Sequence, residues 1–200
     1  MARDQEYFKA KFFSGDRSSN LGQVKTPEGL RFPNDDGFLF NHVRGKTLTD
    51  GDQNVFRIRW NPQVLICSMK GIELYTDVAR QIGINLSISY LFCPTTTDNG
   101  MRDEPLSTTT AEARLKLYLR EMKANEGKML HGFRSGCAIT LALTGTDLSE
   151  IIEHVSWARR HTAFYYLQLA KVLNPSVASA RLAETSVERG CYSVEGYKPV

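Results

Sequence analysis

The sequence has no membrane-spanning run: its longest apolar stretches stop far short of the ~20 residues that a helix needs to cross a bilayer. No secretory leader is expected either, because Met-Ala-Arg-Asp-Gln-Glu leads into no apolar core. Cysteine is sparse. Cys67, Cys93, Cys137 and Cys191 are widely spaced with no C-x-x-C pair, which argues against a disulfide framework or a zinc site and fits a reducing intracellular compartment. His42, His131, His154 and His161 show no ligand-like spacing, so no metal site is expected. Strong charge is missing too: a net +3 does not by itself mark a nucleic-acid binder, and no repeat or low-complexity segment is present.

What remains suits one globular domain with a real core, at 200 residues, 42% hydrophobic and 24% charged. The positive excess is uneven. Residues 1–60 carry ten Lys/Arg against eight Asp/Glu, and 110–175 carry nine against six. An ordinary solvated surface would give the same figures.

The order of patterns predicts a mainly α chain with a small antiparallel β-sheet, an α+β fold. Residues 4–14 are expected to be helical, with Phe8 and Phe12 on one face, and Gly15-Asp16 breaks them. Leu30-Arg31-Phe32 and Phe38–Val43 flank a Gly37-ended turn and predict a hairpin, and Val55–Trp60 alternates like a third strand. Ile72, Tyr75, Val78, Ala79 and Ile82 recur at helical spacing over 69–82, with Gly83 as the stop. Thr109-x-x-Glu112 is a candidate capping box for a helix lined by Leu115, Leu119 and Met122 and broken by Gly127. Helices are expected from His131 to about Leu143, after Asp147, and over about 160–173, where Asn174-Pro175 ends the last. Residues 176–187 suit one more short helix, and the tail from Gly190 looks loose.

The chemistry-bearing residues gather late in the chain. His131 is followed three residues on by Arg134, 23 further by Trp157 and nine beyond that by Tyr166. A helix start puts i and i+3 on one face, so His131 and Arg134 can address the same ligand. An imidazole, a guanidinium and a phenol converging is an arrangement for phosphoryl transfer through a tyrosyl intermediate. Each has an ordinary alternative: the H-x-x-R as a capping and surface pair, Trp157 as packing, Tyr165 and Tyr166 as core at helical spacing.

These residues, with Arg17 in Phe-Phe-Ser-Gly-Asp-Arg-Ser-Ser-Asn-Leu and Lys46 in His-Val-Arg-Gly-Lys-Thr-Leu, resemble the catalytic domain of tyrosine recombinases, the phage-integrase family. The likeness is strongest to those of eukaryotic Crypton-type mobile elements and covers nearly all of residues 5–173. Arg17 matches the family's first Arg in an early helix, Lys46 its β-turn Lys, and His131-Gly132-Phe133-Arg134 its H-x-x-R. Trp157 takes the His/Trp position and Tyr166 the nucleophile's, nine residues on, which leaves Tyr165 as a flank. His154 and His161 fit no slot. Asn20 departs from the pattern, standing where the family carries an acid; its amide can hydrogen-bond but cannot pair a charge.

The resemblance implies a tyrosine recombinase catalytic-domain fold over residues 1–175, with 176–200 as a short helix and tail that contacts a neighbour. It implies double-stranded DNA as partner, a synaptic homotetramer, no membrane, and location in the nucleus if the host is eukaryotic. The family's preceding core-binding domain, which completes a clamp around DNA, is expected to be absent, since the chain begins barely one helix before Arg17. The implied reaction cuts and rejoins DNA through a 3′-phosphotyrosyl ester, which conserves the bond energy and needs neither metal nor ATP. Arg17 and Arg134 would hold the non-bridging phosphate oxygens through paired N–H donors. His131 would relay the nucleophile's proton, Lys46 would protonate the departing 5′-oxygen, and Trp157 would offer an indole N–H and a packing face. The alternative is a non-catalytic DNA-binding or interaction module that keeps the fold, a relic of a mobile element.

Overall fold

A computed structural model describes residues 2–32, 36–42, 54–96, 98, 100–124, 127–157 and 159–173. Lys46 and the whole segment 174–200, including 176–187, lie outside the described residues. Helix α1 (Ala2–Ser14) and the single turn α2 (Ser18–Leu21) precede a 3-10 turn at Thr26–Glu28. Strands β1 (Gly29–Arg31), β2 (Gly37–His42) and β3 (Asn54–Arg59) follow, then helices α3 (Ser68–Gln81), α4 (Thr108–Glu121), α5 (His131–Leu143), α6 (Leu148–His154) and α7 (Arg160–Leu173). The α+β expectation holds. No helix among the described residues is long and apolar enough to cross a membrane.

The sheet is antiparallel in the order β1-β2-β3, with Leu30 opposite Leu39 and Phe40 opposite Phe56. Period-two alternation buries Phe40, Phe56 and Ile58 while Leu30 and Val55 face out. Phe40 and Phe56 stack with centroids 5.1 Å apart across the ladder.

The main core joins this sheet face to α1, α3, α4 and the loop over 86–93. Tyr7 meets Phe92 edge-on at 5.3 Å, and Phe92 stacks on Tyr75. Full burial of side chains such as Tyr7, Phe92, Leu21 and Ile58 is worth roughly 1.5–3 kcal/mol each. A second, smaller core lies between α5, α6 and α7, built on Cys137, Ala138, Ile151 and Val155, with Trp157 and Tyr166 at its edge. Helix α5 belongs to both, since Phe133 stacks on Phe8 of α1 at 5.6 Å while Cys137 and Ala138 face the second core.

Helix α1 is buried far beyond the Phe8–Phe12 face that its spacing predicts, because α3 and α5 pack on it from two sides. Its polar residues are therefore inside and need partners. Asp4 accepts from Arg3 Nε, Arg114 Nε and Tyr118 Oη, each at 2.8 Å. Burial works to raise the Asp4 carboxyl, and these bonds outweigh it and hold the group below its usual range. Glu6 accepts from the Ser68 hydroxyl on α3, and burial pushes its carboxyl up to about 9.

Three local expectations are corrected. Ser107, not Thr109, caps α4 by accepting from the Thr110 N–H at 3.1 Å, and Glu112 instead accepts from the Leu130 N–H at 3.0 Å. Helix α4 stops at Glu121, with Lys123 at φ 54°, well before Gly127, which leaves Met122 74% exposed. On α3, Ile72, Tyr75 and Ala79 are buried while Val78 and Ile82 are exposed, so its apolar stripe is narrower than the spacing implies.

Candidate active site

Four chain segments meet beside the second core: the loop from Gly15 to Arg17, the start of α5, the turn between α6 and α7, and the middle of α7. Gly15 ends α1 in the left-handed conformation, φ 59°, which an L side chain adopts only at a cost. A Cβ there would also lie 3.2 Å from both Cys137 Sγ and Val155 Cγ2. The reversal turns the backbone so that Arg17 becomes the N-cap of α2 rather than a residue inside an early helix. The Arg17 carbonyl accepts from the N–H groups of Asn20 and Leu21, at 3.1 and 2.9 Å.

Arg134 sits on the inner face of α5 and is only 3% exposed. Its Nη1 donates to the Gly15 carbonyl at 2.6 Å and its Nη2 to the Ser156 carbonyl at 3.4 Å. Ser156, like Gly15, is left-handed, at φ 52°, so both carbonyls that hold this guanidinium come from reversed backbone. Burial first and the Arg17 charge second lower the Arg134 pKa to about 10, while Asp16 and Tyr166 favour its charge. The Arg17 and Arg134 guanidiniums thus act on each other within one cluster. Arg134 Cζ lies 5.8 Å from the Trp157 ring centroid, within cation–π range.

Tyr166 is half-buried on α7. Its Oη lies 2.9 Å from His131 Nε2, a hydrogen bond whose direction follows the imidazole tautomer. Its ring stacks on Trp157, with centroids 5.1 Å apart and planes 8° from parallel. Tyr165 meets the same ring edge-on and is exposed. The His131 pKa is lowered by desolvation first, then by the charges of Arg134 and Lys11. A neutral imidazole at pH 7 follows, able to accept a proton.

Arg17, His131, Arg134, Trp157 and Tyr166 are therefore gathered in one place, and Lys46 lies outside the described residues. Three further side chains shape the site without having stood out in the sequence. Lys11, 1% exposed, donates through Nζ to the Asp16 carbonyl; burial lowers its pKa to about 8, with Asp16 opposing that shift and Arg134 adding to it. Glu112 fixes Leu130, the residue before His131, and so ties α4 to the start of α5. His154, which fits no slot in the sequence pattern, bonds through Nε2 to the Phe13 carbonyl at 2.8 Å and joins α6 to the end of α1. Among the described residues no group of three or more His, Cys, Asp or Glu is arranged to hold a metal.

By sequence, no protein-family model and no curated protein matches the chain. By structure it is similar to XerA recombinase, with TM-score 0.61 and 16% identity over 96% of this chain and 58% of that one. XerH site-specific recombinase bound to palindromic difH substrate, in a post-cleavage complex, matches with TM-score 0.63 and 17% identity over 94% and 46%. The Tn1549 transposon integrase in complex with transposon right end DNA matches with TM-score 0.55 and 13% identity over 92% and 57%. The chain thus spans about half the length of these recombinases, 46% to 58%. Its fold is that of tyrosine recombinase catalytic domains.

Proposed function

We propose that the chain acts on double-stranded DNA as a tyrosine recombinase, cutting and rejoining strands at specific sites through a 3′-phosphotyrosyl intermediate. The observation that carries this reading is the Tyr166 phenol, hydrogen-bonded to His131 and stacked on Trp157 beside Arg134. With its pKa lowered, His131 Nε2 accepts the phenol proton, and the Tyr166 oxygen attacks the scissile phosphorus. The Tyr166 O–P bond forms as the bond to the 5′-oxygen breaks. That oxygen takes a proton, for which Lys46 is the proposed donor. Arg17 and Arg134 neutralise the charge that builds on the non-bridging oxygens, and the Trp157 indole N–H is a further donor to them.

Rejoining reverses these steps with a 5′-hydroxyl as nucleophile, so the phosphoester energy is kept and no metal or nucleotide is required. The narrower likeness to Crypton-type elements, with nuclear action in a eukaryotic host, rests on the residue pattern alone. A synaptic tetramer, in which residues 176–187 pack on a neighbouring copy, belongs to the same proposal. Analytical ultracentrifugation of the chain on DNA tests it.

Asn20, in place of an acid, favours a second reading as a DNA-binding module without activity. A pool of nicked duplexes of randomised sequence separates the two. Incubation should trap a covalent protein–DNA adduct on a denaturing gel, absent from Tyr166→Phe. DNA binding by the wild type with no adduct in any sequence context supports the module instead.

A further inference from the structure

The Gly15-Asp16 loop is held by Arg134, which is proposed to bind phosphate, and by the buried Lys11. Its two carbonyls receive Arg134 and Lys11, and Asp16 itself is only 2% exposed. Asp16 Oδ1 accepts two bonds, from the Arg17 N–H at 2.7 Å and from Asn20 Nδ2 at 3.1 Å. Asn20 is likewise buried, and Ser19 Oγ lies 3.4 Å from its Oδ1. One carboxylate is thus locked between the backbone of Arg17 and the side chain at the position where the resembled pattern carries its acid.

We propose that Asp16 is the positioning residue of this site, a displaced carboxylate that holds Arg17 in place and offsets the crowded cations Lys11, Arg17 and Arg134, with Asn20 as its clamp. The proposal rests on the reading that Arg17 and Arg134 bind phosphate. Three like charges in one cluster, two of them buried, repel, and a carboxylate among them favours the charged form of each. Burial opposes the charge on both Lys11 and Arg134, and Asp16 supports it on both. Position 20 has no need of its own negative charge, because Asn20 presents an N–H to a carboxylate already there. An acid placed at position 20 would set two carboxylates at hydrogen-bonding distance.

The test is a titration of the full chain with inorganic phosphate, followed through arginine Nε–H signals by NMR. Wild type should show saturable shifts that Arg17→Ala abolishes. Asp16→Asn keeps the shape and both acceptor bonds, and should weaken phosphate by about tenfold. Asn20→Asp alone should also weaken it at pH 8. The exchanged pair Asp16→Asn with Asn20→Asp puts one carboxylate back beside the same cations and should restore affinity to within about twofold. That rescue separates a charge role from a purely structural one, and it decides the matter even if Asp16→Asn alone folds poorly. Unchanged or tighter phosphate binding in Asp16→Asn, no rescue by the exchange, or no saturable shift in wild type overturns the proposal. Wild type that binds phosphate through these arginines but never forms an adduct with DNA removes the enzymatic reading and leaves this one standing.

Discussion

The Tyr166 hydroxyl and His131 Nε2 lie 2.9 Å apart, although 35 residues separate them in sequence. The contact depends on two placements. Glu112 holds the N–H just before His131, and the Trp157 ring fixes the plane of Tyr166. A phenol has an ordinary pKa of about 10, so the proposed attack near pH 7 requires a neutral base in contact with it.

His131→Gln should therefore slow adduct formation by about 10²–10⁴-fold while leaving DNA affinity within a few-fold of wild type. The imidazole pKa is lowered by desolvation, Arg134 and Lys11, so the ring stays neutral to below its usual 6.5. The acid limb of the wild-type rate profile should accordingly fall below pH 6.5 and vanish in His131→Gln. Single-turnover rates from pH 5 to pH 8 read both effects.

Arg134→Lys should cost more than a charge-preserving change usually does. A lysine cannot reach the Gly15 and Ser156 carbonyls together and still present a planar pair of donors to phosphate. Adduct formation should fall by about 10²–10³-fold. Leaving a buried carbonyl unmet should lower stability by about 1–3 kcal/mol, seen as an earlier urea midpoint.

Trp157→Phe keeps a flat surface under Tyr166, and Trp157→Ala does not. The phenylalanine variant should retain adduct formation within about tenfold, whereas the alanine variant should lose it and about 1–3 kcal/mol of stability, since Trp157 is only partly buried. Equal losses in rate for both variants would move the weight from stacking to the indole N–H.

Glu6 gives stability its own pH dependence. Its carboxyl titrates near 4.5 when unfolded and, through burial, at about 9 in the fold, so between those values the native state binds the extra proton. Stability therefore falls as pH rises across that window, by up to about 1.4 kcal/mol per unit from this group. Subtracting the urea midpoints of Glu6→Gln from those of wild type at matched pH isolates the slope, since the glutamine does not titrate. A difference that stays flat between pH 5 and pH 8 contradicts the assignment.

Periodicity made the outer architecture legible. The bounds of α5 follow from His131 and Gly145, and the alternation at Phe38–Phe40 and Val55–Ile58 marks the sheet. The spacing of His131, Arg134, Trp157 and Tyr166 was legible for the same reason, because all four lie on or beside regular helices. The support of the site was not. Lys11 and Asp16 are charged residues on or beside α1, a pattern that ordinarily means solvent, and their burial comes from α3 and α5 closing over α1. No local rule announces that Ser156 is left-handed or that Glu112 reaches a backbone N–H 18 residues away. Those features arise from tertiary packing overriding local preference.

Digestion of the protein–DNA adduct, with mass mapping of the peptide that carries the nucleotide, tests the central claim most directly. The prediction is a phosphotyrosyl link on Tyr166 alone, with the nucleotide joined through its 3′-phosphate. A link on the exposed Tyr165, a 5′-phosphate linkage, or no adducted peptide from protein that binds the same DNA would contradict it.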